Sequence, residues 1–312
     1  MGRTLTMKKI IREVDEKRRI VQVTVADERW YLKPAQDEKT KLPIYHPVPS
    51  VTWICGYWPK GVGFYRWLAD KGWDEAEAVK QAAGDRGSVV HLAVERILAG
   101  EEFRIDTKVQ DKSRGNELEL YERDLTYEEL LCVQSFLNWK ATMEKEWTIE
   151  TMASEKTMFS ETHQAAGTGD WVVRLTHKET GAVEMWLIDF KTSKQIWREY
   201  ELQISAYREF LQNGENPLFE KNENGTESRK VVDMSELKMG ILQLGYERNK
   251  AGYKFTEIED AFPLFKLAQQ IWKREIGEGT PGFTVREFPI VLAPGTNQEI
   301  VLTGDLSVPN EA

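Results

Sequence analysis

Two carboxylates and a lysine stand at spacings that can do chemistry. Asp170 closes the run Gly167-Thr168-Gly169-Asp170, and Asp189 and Lys191 close Met185-Trp186-Leu187-Ile188-Asp189-Phe190-Lys191. Between them, His177 to Gly181 holds the polar residues and glycine that a hairpin loop uses. With the loop centred on Glu179, to within a residue, Asp170 pairs across the hairpin with a residue at or beside Asp189, and directly opposed Cβ atoms lie only ~5 Å apart. The alternation supports this register. Trp171, Val173 and Leu175 share an apolar face with Trp186, Ile188 and Phe190, which leaves Asp170, Asp189 and Lys191 together on the other. Two adjacent carboxylates hinder each other's ionisation unless a cation sits between them. Mg²⁺ is held by one or two carboxylates plus waters and substrate phosphates. A neighbouring lysine can orient a water or stabilise charge on a phosphoryl group in flight. Taken alone, the hairpin fits a solvent-exposed strand face with an Asp–Lys pair equally well.

Three further elements bear on that choice. In Gly87-Ser88-Val89-Val90-His91-Leu92-Ala93-Val94-Glu95, His91 stands beside the Val90, Val94, Ile97 stripe, where a lone histidine is ordinarily a hydrogen-bonded core residue. Gln203 and Tyr207 lie one turn apart on one helix face, a pair that is ordinarily surface or core filler. Glu155, in the strand before the hairpin, is ordinarily a solvated charge. In chain order, GxxxH (Gly87, His91), GxGD ending in Asp170, IDFKTS containing Asp189 and Lys191, and QxxxY (Gln203, Tyr207) resemble the signature of the RecB-like branch of the PD-(D/E)XK nuclease superfamily. The resemblance covers roughly Ser50 to Leu211. Upstream, Pro49-Ser50-Val51-Thr52, then Trp67, then the GxxxH helix is similar to phage-encoded and mitochondrial genome maintenance exonucleases of that branch. Two departures matter. CRISPR-associated relatives place four cysteines around an iron–sulfur cluster, whereas this chain has only Cys55 and Cys132. No Gly-rich Lys-Ser/Thr phosphate loop is present either, so the helicase motor of RecB itself is absent.

The resemblance implies a restriction-endonuclease-like α/β core, with a central mixed sheet flanked by helices and with N-terminal and C-terminal additions. It implies that His91, Asp170 and Asp189 bind Mg²⁺ or Mn²⁺, with the main-chain carbonyl of Phe190 completing the protein ligands. Lys191 would position the attacking water and stabilise the pentavalent phosphorus, and Gln203 and Tyr207 would orient Lys191 or a substrate phosphate. Glu95 and Glu155 are candidates for a supporting role around the metal or for holding a second metal. Neither an iron–sulfur cluster nor a nucleotide cofactor is expected.

These residues need elements to hold them. Val21 to Val25 alternates as a short strand, with Trp30 to Leu32 as its hairpin partner, and Pro34 to Pro49 reads as a loop. An aromatic stretch follows: Trp53, Tyr57, Trp58, Phe64, Tyr65 and Trp67, interleaved with Lys60, Arg66 and Lys71. Bases of single strands stack on aromatic faces while cations track phosphates. That makes Tyr57, Trp58, Lys60, Phe64 and Arg66 candidates for DNA contact, and Trp53 and Trp67 candidates for the core. A helix is expected from Asp74, interrupted at Gly84-Asp85-Arg86-Gly87 and resumed through Ser88 to Leu98, before a charged surface excursion from Glu101 to Arg123. Leu130, Val133, Phe136, Leu137 and Met143 mark an amphipathic helix. Strands follow at Thr148 to Phe159, Gly169 to Thr176 and Val183 to Lys191, then a helix from Trp197 to Leu211. Asn213 to Ser235 reads as a polar insertion, Met239 to Tyr246 and Tyr253 to Phe255 as strands, and Ala261 to Ile276 as a helix. The tail from Gly277 is Pro- and Gly-rich and is expected to be disordered in part. The αβββαβ order implies a sheet between helices. Three regions result: accessory strands and aromatics over 1–73, a nuclease core over 74–276 with an insertion at about 213–235, and the tail 277–312.

Composition bounds the rest. The 312 residues, 41% hydrophobic and 30% charged, suit one large domain with decorations. No apolar run approaches the ~18 residues of a membrane span. The polar, basic start, Met1-Gly2-Arg3-Thr4, has no signal-type segment. Two distant cysteines suit a reducing cytoplasm, bacterial or of a phage-infected host, and no membrane partner is expected. A net charge of -9 argues against a protein that coats nucleic acid through bulk positive charge, though not against an enzyme with a local groove. The expectation is an ATP-independent DNA exonuclease acting on single-stranded or free ends in recombination, repair or phage DNA processing. An endonuclease of the same superfamily and a non-catalytic DNA-binding module on the same fold are the alternatives. A carboxylate-pair glycoside hydrolase would leave Lys191 without a task.

Overall fold

The computed structural model describes residues 9–25, 28–36, 43–110, 122–222, 226–277, 285–287 and 298–300 of the chain. Strands β1 (Lys9–Asp15), β2 (Ile20–Val25), β3 (Glu28–Gln36) and β4 (Pro43–Pro49) come first. Helices α1 (Val51–Cys55), α2 (Val62–Lys71) and α3 (Trp73–Leu98) follow, then a short ribbon of β5 (Val109–Gln110) and β6 (Glu122–Arg123). Next come α4 (Tyr127–Met143), β7 (Trp147–Ser160), β8 (Ala165–His177), β9 (Val183–Lys191) and α5 (Arg198–Gln212). After the β10 (Phe219–Lys221) and β11 (Glu227–Val231) hairpin stand β12 (Lys238–Leu244), β13 (Tyr253–Glu257) and α6 (Phe262–Ile276). Strands β14 (Val285–Glu287) and β15 (Gln298–Ile300) pair with each other. The rest of the tail beyond Gly277, where disorder was expected, lies outside the described residues, as do 111–121 of the charged excursion.

The chain divides into two compact units: Met1–Trp58 with Thr157–Gly167 and Phe262–Ala312, and Pro59–Lys156 with Thr168–Ala261. In the first, β1 to β4 form an antiparallel sheet in sequence order. Trp30, Trp53 and Trp272 meet edge to face, 5.1–6.0 Å between ring centroids, and tie α1 and α6 into this unit. Trp53 is thus a packing residue, as its sequence position suggested. The segment 34–49, expected to be a loop, is instead largely strand on both sides of 37–42, which lie outside the described residues. Its prolines do not exclude strand here. At the edge of a sheet, where β4 stands, a strand loses nothing by lacking outward N–H groups.

In the second unit a five-stranded sheet runs β13-β12-β9-β8-β7, with β9 and β12 parallel and the other described pairings antiparallel. It is a mixed sheet flanked by helices. One face packs Trp171, Val173, Leu175, Trp186, Ile188 and Phe190 against Val90 and Val94 of α3 and Phe136 and Trp139 of α4. The other face is covered by α5, which touches both β9 and β12. So β9, central between β8 and β12, is buried on both sides, and the solvent-facing alternative for its second face is overturned. Helix α3 is continuous through Gly84 and Gly87, contrary to the expected interruption. An isolated helical glycine costs only ~1 kcal/mol, and the core contacts of Val89, Val90, Ala93 and Val94 offset that. The α4 start is fixed by a capping box in which Thr126 and Glu129 exchange hydrogen bonds, while Glu129 also takes both terminal nitrogens of Arg123.

Candidate functional site

The site is built on the β8–β9 hairpin. The ladder pairs Thr176 with Val183 through to Trp171 with Ile188, and its next step sets Asp170 beside Asp189. Asp170 Oδ2 accepts the Phe190 N–H at 2.7 Å, which pins the carboxylate across the strands. His91 reaches the hairpin from the middle of α3. Its Nε2 lies 2.9 Å from the Phe190 carbonyl and its Nδ1 3.4 Å from Asp170 Oδ1. A carbonyl can only accept, so Nε2 carries the proton and Nδ1 faces the carboxylate. Glu155 arrives from β7. One ligand atom each from His91, Glu155 and Asp170 lie within 4.8 Å of one another, a set that could hold a metal ion.

Glu155 also has a φ of 47°, the left-handed region, in the middle of a strand. Such a conformation costs a non-glycine residue of order 1–3 kcal/mol and persists where the surroundings hold it. Its place in the charge cluster gives that strain a context.

Asp189 and Lys191 form the second half of the site. Lys191 Nζ lies 2.6 Å from Asp189 Oδ2, with the carboxylate 3% and the lysine 14% exposed. The contact is an ion pair without hydrogen-bond geometry, and neither Asp189 oxygen has a hydrogen-bond partner among the described residues. The Lys191 ammonium also lies 4.7 Å from the ring centroid of Tyr200, in the first turn of α5.

The electrostatics follow from burial and proximity. Burial pushes the Asp189 carboxyl up to about 6, Lys191 opposing and Asp170 reinforcing the shift. For His91, burial works against the charged ring, but Asp170 and then Glu155 outweigh it and push its pKa up to about 9. Burial likewise opposes ionisation of Asp170, yet His91, Lys191 and the Phe190 amide prevail and lower its pKa. Lys191 keeps its proton, because Asp189 and Asp170 outweigh burial. His91 and Lys191 thus neutralise charge that a divalent cation could take over. The Asp189 carboxylate, paired with Lys191 alone, and the imidazole–carboxylate donor set fit a hard or borderline divalent ion.

Of the residues singled out from sequence, His91, Asp170, Asp189, Phe190 and Lys191 come together here. Glu155, expected in a supporting or second-metal part, stands among the three converging groups, whereas Asp189 pairs with lysine beside them. Glu95 is not in the cluster. Gln203 Nε2 donates to Tyr207 Oη at 3.3 Å, so these two meet each other. Tyr200, not anticipated, is the α5 residue over Lys191; its place three residues before Gln203, on the same helix face, was the available signal.

The candidates for DNA contact divide between the units. Tyr57 and Trp58 are half-buried at the end of the first stretch of unit one. In unit two, Lys60 pairs with Glu199 and lies over Phe64, Phe64 packs on Tyr65 and Trp67, and Arg66 is exposed. The more exposed aromatics on α2 and at the start of α3 are Tyr65 at 57% and Trp73 at 68%. No described helix is long and apolar enough to cross a membrane. Comparison with protein-family models found no match, and comparison with curated proteins found none either.

Proposed function

We propose that this chain is a divalent-metal-dependent nuclease of the RecB-like branch of the PD-(D/E)XK superfamily, on a restriction-endonuclease-like core, that hydrolyses phosphodiester bonds in DNA. One observation carries the reading. His91, Glu155 and Asp170, from three separate elements, converge to within 4.8 Å beside a buried Asp189–Lys191 ion pair. Buried carboxylates gathered this closely repel one another unless positive charge joins them.

The residues divide the work. The Nε2–H of His91, held by the Phe190 carbonyl, fixes the ring and leaves Nδ1, on losing its proton, as the nitrogen that would bind a cation. Asp170, anchored through Oδ2, offers Oδ1, and Glu155 adds a carboxylate from β7. The Phe190 carbonyl accepts from Nε2 on the far side of the ring from Nδ1, so its expected ligand role would require the imidazole to turn. Bound Mg²⁺ or Mn²⁺ would supply Lewis acidity and make hydroxide available near neutral pH. Lys191 holds its proton beside Asp189, where it would orient the attacking water and offset charge gathering on phosphorus. Gln203, steadied on Tyr207, would orient a substrate phosphate.

The enzyme on this reading is an ATP-independent exonuclease of the cytoplasm that engages free or single-stranded ends in recombination, repair or phage DNA processing. Bases would stack on the aromatics around α2 at ~1–3 kcal/mol each. The test is digestion of end-labelled linear and circular single- and double-stranded DNA with Mg²⁺, Mn²⁺ or EDTA. Metal-dependent loss of linear strands with circles spared supports the reading. Loss of circles would make it an endonuclease, and binding without turnover in any metal would leave a DNA-binding module on the same fold.

A further inference from the structure

We infer that Tyr200 is a positioning residue for Lys191, its ring face giving the ammonium a seat within the site when a cation occupies the neighbouring carboxylates. The inference rests on the nuclease reading for the task of Lys191 and names a residue that reading does not include. Gln203 and Tyr207, the α5 residues expected to reach Lys191, bond to each other at 3.3 Å. The α5 residue over the ammonium is Tyr200, one turn earlier, with Nζ 4.7 Å from its ring centroid. That is inside the ~6 Å range in which a ring face attracts a cation, and a largely desolvated ammonium gains most from it. The backbone of the tyrosine is held on both sides. Its N–H donates to the Trp197 carbonyl at 3.0 Å as α5 begins, and its neighbour Glu199 is tied to Lys60.

Lys191 therefore has two seats, the Asp189 carboxylate at 2.6 Å and the Tyr200 face. A divalent cation among Asp170, Glu155 and Asp189 draws on the first and repels the ammonium across a few ångströms of low-dielectric interior. The second seat is uncharged and stays attractive. Without it, cation binding would have to drive the ammonium away from the reacting phosphate or compete with it for Asp189.

The experiment compares wild type, Tyr200→Phe and Tyr200→Leu. Three quantities are read: Mn²⁺ affinity by calorimetry, kcat and KM on an end-labelled single strand at saturating Mn²⁺, and Tm. Tyr200→Leu is expected to lose roughly three- to thirtyfold in both kcat and Mn²⁺ affinity, with KM unchanged. Tyr200→Phe, which keeps the ring face, should stay within about twofold of wild type. Wild-type values for Tyr200→Leu, or equal losses in the Phe and Leu variants, would overturn the inference. A fall in Tm alone would reduce the tyrosine to packing and overturn it too. If wild type binds Mn²⁺ but cleaves no strand, the nuclease reading fails, and the calorimetric comparison still decides the role of the ring. If wild type binds no Mn²⁺, both fall.

Discussion

His91 Nδ1 lies 3.4 Å from Asp170 Oδ1 while the same ring donates from Nε2 to the Phe190 carbonyl, so helix α3 is clasped to both strands of the β8–β9 hairpin through one imidazole. In the metal-free protein that ring is charged, with its pKa pushed up to about 9 by Asp170 and Glu155 against the effect of burial.

A pH dependence follows for metal-free protein. A histidine whose pKa is raised on folding contributes stability below its unfolded value near 6.5 and loses it as pH rises through about 9. Asp189, raised to about 6, acts in the same direction, since its buried carboxyl resists losing a proton. The Tm in EDTA should therefore fall between pH 5 and pH 9.5. Mn²⁺ must displace the His91 proton, so its affinity should strengthen by up to about tenfold per pH unit below 9. A Mn²⁺ affinity flat from pH 6 to pH 9 would show that His91 is no ligand.

Asp189→Asn and Lys191→Met should each lower single-turnover cleavage at least about hundredfold, the order of effect seen when a transition-state charge partner is lost. Because both side chains are buried, stability should change as well. Lys191→Met leaves a carboxylate without its counter-ion, and Asp189→Asn leaves the ammonium with Asp170 alone nearby. Near-normal turnover by either variant at saturating Mg²⁺ would remove that residue from the chemistry.

Glu155→Gly separates stability from metal binding. Glycine adopts a φ of 47° without penalty, but the carboxylate that helps hold the His91 charge goes with it, so urea denaturation of metal-free protein should show little net change. Mn²⁺ affinity should fall at least about tenfold with the lost carboxylate. A loss of stability without loss of affinity would mean that Glu155 serves the strand and not the cation.

Glu129→Ala tests the scaffold apart from the site. It removes one arm of the α4 capping box and the two-pronged partner of Arg123, and should destabilise the protein by about 2 kcal/mol. Burial opposes ionisation of Glu129, but Arg123 and Thr126 win and lower its pKa. Its contribution is thus present above the unfolded value of 4.5 and is lost as pH falls through the lower folded one. The wild-type and Glu129→Ala unfolding curves should converge in acid.

The hairpin was legible because its alternation was strict: Trp171, Val173 and Leu175 against Trp186, Ile188 and Phe190 permit one register, and the ladder keeps it. The nature of its second face was not legible. A carboxylate and a lysine on alternate positions look solvated in sequence, and only the βαβ crossover that lays α5 over β9 buries them. The position of Glu155 is hidden in the sequence for a similar reason. A left-handed residue within a strand breaks the two-residue period, so no pattern shows which way its side chain goes. Tyr200 does not stand out in the sequence, because the next two turns of the same helix hold the more recognisable Gln203 and Tyr207.

Strand β9 sends Trp186, Ile188 and Phe190 into one buried layer and Leu187 and Asp189 into the other. A slip of one residue would drive Asp189 among the tryptophans and bring Ile188 or Phe190 to face His91. The misassembled chain would then be unstable before it was ever inactive. Folding of this hairpin proofreads its own chemistry, and a population that passes a thermal-unfolding check should contain few molecules with a scrambled site.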